Sequence, residues 1–292
     1  MPYYYKKQKR WDGRKATQYG LAILVLLIGI VILFSWLFIR YQMGSAPDTN
    51  EQAPPTTVQQ ETPTEIGRCL LIFDFDGVER FVLVQTDPAH HRITAVPVAS
   101  TIADHDGCTL AQALHRHGAL SVTNTISKTL DLPTQHYISF TPKGVEDLVN
   151  HLDEGILFQV PEKVTYTDEN GANIVLSAGE HRLSAGQVRT LLAYTGWNKA
   201  VNRSYLAADL VTATLNQYLS ENRSLEAQFS IIFNASTTDL RNDNFISYRS
   251  ALALLAQNNH GTVCQRVNLP GTKANGFFSP DLERFRKESG LY

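Results

Sequence analysis

Three carboxylates cluster where an apolar run ends in CLLIFDFDGVER, Cys69–Arg80: Asp74, Asp76 and Glu79. Acids so spaced at the end of a strand can move protons or hold a divalent cation. Other reactive groups are sparser. His90-His91 and His115-Arg116-His117 have no partners at metal-ligand spacing and read as solvated loop or helix positions. Cys69, Cys108 and Cys264 permit one disulfide at most, and no Cys-x-x-Cys suggests structural zinc. The Asn-x-Ser triplets at Asn202, Asn222 and Asn234 read as chance occurrences.

The elements that must position these residues follow from hydropathy and charge. At 292 residues, with 43% hydrophobic content, the chain can bury a sizeable core. Its net charge of -2 is unevenly spread, because Lys6, Lys7, Lys9, Arg10, Arg14 and Lys15 face only Asp12 in the first twenty residues. The remainder is acidic, which argues against a nucleic-acid partner. From Gly20 to Ile39 there is no charge, and about 20 such residues in a helix span the hydrocarbon of a bilayer. The bulky Ser35–Arg40 segment suits no signal peptidase. The basic end should stay cytoplasmic. The expected organisation is a basic cytoplasmic end over 1–19 and one transmembrane helix over 20–40. A disordered stalk rich in Pro, Thr and Gln follows over 41–66, then an external domain over 67–292.

Within that domain strand and helix patterns alternate. Arg68–Phe75, Glu79–Thr86 and Arg92–Val98 read as strands, the last two as a hairpin across the Asp87–His91 turn. Leu110–His117 and Ser121–Leu130 read as helices, and His136–Phe140 as a strand. Val145–Leu152 is a helix with Thr141 as cap and Pro142 in its first turn. Ile156–Val160, Lys163–Thr167 and Asn173–Leu176 are strands. Leu183–Tyr194 is a helix entered through a Ser184–Gln187 capping pattern. Tyr205–Leu219, Tyr248–Gln257 and Pro280–Ser289 are helices, and Phe229–Phe233 and Thr262–Asn268 strands. The fold class expected is α/β, a mixed central β-sheet flanked by helices.

Read alone, Asp-Phe-Asp-Gly resembles the nucleophile loop of haloacid-dehalogenase-type phosphatases, in which the first Asp attacks phosphorus and the second acts as acid/base. That reading needs a later acidic pair for Mg²⁺ at a strand end, and Glu146-Asp147 and Asp153-Glu154 sit in or at the end of a helix pattern instead. It also needs a turn and flap into a helix, where Glu79–Thr86 reads as a strand.

A second resemblance covers nearly all of 67–292. The third strand with ITAVPVAST, the passage HYISFTPKGVEDLVNHLDEGILFQVPE, the stretch GEHRLSAGQVRTLLAY and the ending NLPGT…FFSPDLERFR resemble the LytR–CpsA–Psr (LCP) family of bacterial envelope proteins in order and spacing. The resemblance implies an LCP-like α/β/α domain and a transferase that moves glycopolymers, teichoic acid among them, from a polyprenyl-pyrophosphate carrier to peptidoglycan outside the membrane. In that family arginines grip the pyrophosphate, carboxylates hold Mg²⁺ or position the attacking hydroxyl, and an apolar pocket takes the polyprenyl chain. Such charge neutralisation is what a leaving pyrophosphate requires.

The sequence departs from the family pattern at these positions. Asp76 matches the family's Asp after the first strand, Glu79 stands where a second Asp is usual, and Asp74 becomes an ordinary strand-end residue. Pro97-Val98-Ala99 replaces Pro-Arg-Asp, and Ala193-Tyr194-Thr195 replaces Arg-x-Arg. Of the later arginine pair Arg203 remains, with Leu206 at the second place. The reading is an envelope protein with a degenerate catalytic apparatus that binds a polyprenyl-linked glycan or other envelope ligand. The first alternative is a working transferase, with Asp76 and Glu79 catalytic, Mg²⁺ on Asp76 and pyrophosphate on Arg203. Arg92, Arg189 and Arg203 converging on Asp76 would favour it. The phosphatase is the third class.

Overall fold

The computed structural model describes residues 66–75, 77–152, 155–167, 171, 173–197, 200–220, 225–257 and 262–292. All fall within the unit Glu61–Tyr292. The expected cytoplasmic end, transmembrane helix and nearly all of the stalk lie outside the described residues. Among the described residues no helix is long and apolar enough to cross a membrane.

Strand β1 (Gly67–Asp74) is the centre of a six-stranded sheet. It pairs antiparallel with β2 (Glu79–Asp87), which pairs antiparallel with β3 (Arg92–Val98). On its other side it pairs parallel with β4 (His136–Phe140). The edges are β9 (Ser236–Thr238) beside β4 and β10 (Cys264–Arg266) beside β3. Parallel and antiparallel ladders coexist, so the sheet is mixed, as the sequence predicts.

Alternation along the strands gives the sheet two apolar faces. Leu70, Ile72, Phe81, Leu83, Val96 and Val98 pack on one face against α1 (Leu110–Leu130) and α7 (Leu282–Ser289). Cys69, Phe73, Val82, Ile93, Ile138 and Phe140 line the other. That face is covered by α2 (Pro142–Asn150), α3 (Ala185–Ala193), α4 (Ala200–Ser220), α5 (Leu225–Ala235) and α6 (Asn242–Gln257). The strands β5 (Ile156–Val160) and β8 (Gly179–Leu183), β6 (Val164–Thr167) and β7 (Asn173–Leu176), and β11 (Gly271–Ala274) and β12 (Phe277–Pro280) form three separate hairpin-like pairs.

Side chains cap the helix starts. Ser184 and Gln187 form the expected capping box on α3, and Thr109 and Gln112 form another on α1. The two helices predicted over 110–130 are joined end to end, with Gly118 (φ 78, ψ 175) breaking the regular backbone between them. Phe229–Phe233 is a correction, since these residues belong to helix α5 and the neighbouring strand is β9. A short apolar run suits a buried strand or a buried helix equally well. Packing on α2 decides: Gly144 of α2 lies so close to the Ala235 carbonyl that a Cβ would overlap it. The last helix starts at Leu282, two residues later than the expected Pro280, and is capped by Asp281, whose side chain accepts from the Arg284 N–H. All three cysteines are free thiols, with Cys69 and Cys264 buried.

Candidate functional site

The loop of the acidic residues is a tight turn. Val78 N–H donates to the Phe75 carbonyl (3.1 Å), and Gly77 takes φ 94, a left-handed conformation that glycine adopts without strain. The turn makes β1 and β2 a hairpin whose last register pair is Asp74 opposite Glu79. Asp76, expected as catalytic and metal-binding, lies outside the described residues. Glu79 is described, and it is buried.

The strand alternation that buries Phe81 and Leu83 against α1 also turns Glu79 to that face. There His115 of α1 donates from Nε2 to Glu79 Oε1 at 2.6 Å. Asp74, Glu79 and His115 each offer a ligand atom within 4.8 Å of the others. The hydrogen bond to Glu79 lifts the His115 pKa above the ordinary imidazole value, against the smaller effect of burial. The sequence reading took Asp74 as an ordinary strand end and His115 as unpartnered; the hairpin and α1 bring both to Glu79. Thirty-six residues separate His115 from Glu79, and no linear spacing signals the contact.

The opposite face holds a cavity of about 220 Å³, closed by α2, α3, α4, α5 and α6. Leu71 and Phe73 form its floor, and Val145, Val149, Val188, Leu192, Leu210, Val211 and Leu252 are among its walls. Phe73 and Phe140 stack at 5.7 Å between centroids. Beside Phe73 in register stands Arg80, which is buried and was not singled out from sequence. Its guanidinium donates to the carbonyls of Glu79 (3.1 Å) and Tyr194 (3.4 Å). A buried arginine in an apolar strand is the signal that could have found it. A second, open hollow of about 440 Å³ is lined by Phe75, Tyr166, Arg189 and Tyr194, among others.

Of the arginines weighed from sequence, Arg92 and Arg189 are described, and they stand apart. Arg92 pairs with Asp87 (3.5 Å) and the Gly290 carbonyl, eight positions along β2 from Glu79, or about 26 Å at strand rise. Arg189 of α3 pairs with Glu146 of α2 at 3.1 Å. Arg203 lies in α4, and its side chain is outside what the structure describes.

The LytR_cpsA_psr family model matches residues 81–283, from β2 into the last helix. The chain belongs to the LytR_cpsA_psr family. Solved structures share the fold. A transcription regulator of Eubacterium siraeum superposes with a TM-score of 0.70 at 16% identity, covering 85% of this chain and 100% of its own. A LytR-Csp2A-Psr enzyme of Actinomyces oris gives 0.59 at 17%, over 78% and 90%. TagT bound to LI-WTA gives 0.59 at 14%, over 84% and 97%. No curated protein matches by sequence. In this LytR_cpsA_psr chain, carboxylates and an imidazole gather on one face of the hairpin, and the apolar cavity lies on the other.

Proposed function

We propose that this LytR_cpsA_psr protein is anchored by the 20–40 helix in the membrane of a Gram-positive-type bacterium, domain outward. In this reading it binds a polyprenyl-linked envelope glycan in the cavity without transferring it. The observation that carries the reading is the apolar cavity, whose walls offer an isoprenoid chain only carbon surface apart from a few polar groups such as Thr86 and Tyr248. That TagT holds LI-WTA in a similar fold adds support for a lipid-linked wall polymer as the ligand class.

Chemistry is the weaker fit. A transferase needs positive charge and a base beside the leaving pyrophosphate. Glu79 is committed to His115 on the far face, Arg189 to Glu146, and Val98 and Thr195 stand where the family carries charge. Mg²⁺ belongs to the transferase reading, where Asp76 and Glu79 would hold it. Of the described donors near Glu79, His115 is an imidazole that a hard, oxygen-seeking cation does not select. The phosphatase reading has no support, because β1 enters a strand hairpin and not the helix its loop requires.

The test is binding and turnover on the same protein. A polyprenyl pyrophosphate should bind saturably and equally well to wild type and Asp76→Ala, with no transfer or hydrolysis when Mg²⁺ is added. Mg²⁺-dependent turnover that disappears in Asp76→Ala would establish the transferase instead.

A further inference from the structure

The loop between β3 and α1, residues 99–109, carries a second group of metal-ligating side chains, away from the cavity and from Glu79. Asp104 is 8% exposed. Its Oδ1 accepts from the N–H groups of Asp106 (2.9 Å) and Cys108 (2.7 Å). Its Oδ2 is shut off from water and has no hydrogen-bond partner. A carboxylate oxygen in that state is costly, and a coordinated cation is one means of satisfying it.

The surroundings supply the rest of a coordination sphere. Asp104, His105 and Asp106 each present a ligand atom within 4.8 Å of the other two. His117, from the first turns of α1, contacts Asp106 but is not one of that group. Asp106 stands between the rings, with His105 Nε2 3.4 Å from Oδ1 and His117 Nε2 3.5 Å from Oδ2. Those separations are long for hydrogen bonds of this kind. The His105–Oδ1 separation is close to the edge of a tetrahedron of nitrogen and oxygen ligands around zinc, about 3.4 Å for bonds near 2.1 Å, whereas the His117 contact runs to the other oxygen of Asp106.

We propose that Asp104, His105 and Asp106 of this loop bind one divalent cation of the zinc class. The imidazole among these ligands favours such a borderline cation over Mg²⁺ or Ca²⁺, which take oxygen ligands. Cys108 is not part of the set, because its sulfur receives the Arg116 guanidinium at 3.0 Å.

Zinc itself is the probe. The full chain, stripped with chelator, is titrated with Zn²⁺ by calorimetry and with Co²⁺ by visible absorption. One equivalent should bind, with the intense absorption of low-coordinate cobalt. Asp106→Asn and His105→Gln should each weaken binding at least about tenfold. The His105 ring is 73% exposed, so that variant retains the fold, and circular dichroism checks it. Absence of saturable uptake, or uptake unchanged in both variants, overturns the proposal. So does uptake lost in Glu79→Gln but retained in His105→Gln, which would assign the ion to the Asp74–Glu79–His115 group.

Discussion

Filling the cavity should strengthen the free protein and weaken its hold on lipid. Val188 of α3 is 3% exposed and lines the cavity wall. In Val188→Phe the side chain gains roughly 50 Å³, which at about 24 cal/mol per Å³ of cavity removed stabilises the free protein by about 1.2 kcal/mol. For a domain of this size that raises Tm by roughly 2–5 °C. The same ring excludes about three methylene equivalents of an isoprenoid chain, at ~0.8 kcal/mol each, so affinity should fall roughly fifty-fold. Calorimetric unfolding measures the first effect, and titration with a polyprenyl phosphate the second. The opposite signs are the point of the experiment. In a well-packed core the enlargement would cost stability. A lower Tm together with unchanged affinity would refute the cavity as an open, lipid-accepting space.

Two other expectations concern ionisation. The folded-state pKa of His115 is raised, so its bond to Glu79 contributes full stability below the unfolded imidazole value of about 6.5 and loses it as pH climbs through the raised value. Urea unfolding across that window should show the decline in wild type and not in Glu79→Gln. The effect will be small, because the His115 side chain is 51% exposed. Thiol labelling of the native protein should modify Cys108 and spare the other two. Burial pushes the Cys264 thiol up to about 12 and Cys69 higher still, leaving almost no thiolate to react. Rapid labelling of Cys69 would contradict its place under the helices.

The order of elements was legible because it is written in local patterns. Arg92–Val98 and His136–Phe140 coincide with the observed strands, and the Thr109, Thr141 and Ser184 starts are built from side chains that bond their own helix. The errors fall where local preference is balanced. Phe229–Phe233 suits either state, and its packing on α2 makes it helix; Gly179–Leu183, with its polar His181 and Arg182, becomes a strand only by pairing with Ile156–Val160. The site was less legible. Glu79 could be singled out by its place after the turn, but nothing near it in sequence points to His115, and the orphaned oxygen of Asp104 exists only in a folded loop.

By itself the sequence determined the mixed α/β class, the acidic turn and the family, since periodicity, turn residues and the spacing of whole phrases are properties of the linear chain. Tertiary structure decided which face each group serves. Adjacent residues in a strand point to opposite sides, so Glu79 and Arg80, one bond apart in the chain, separate to the imidazole of His115 and to the cavity side of the sheet.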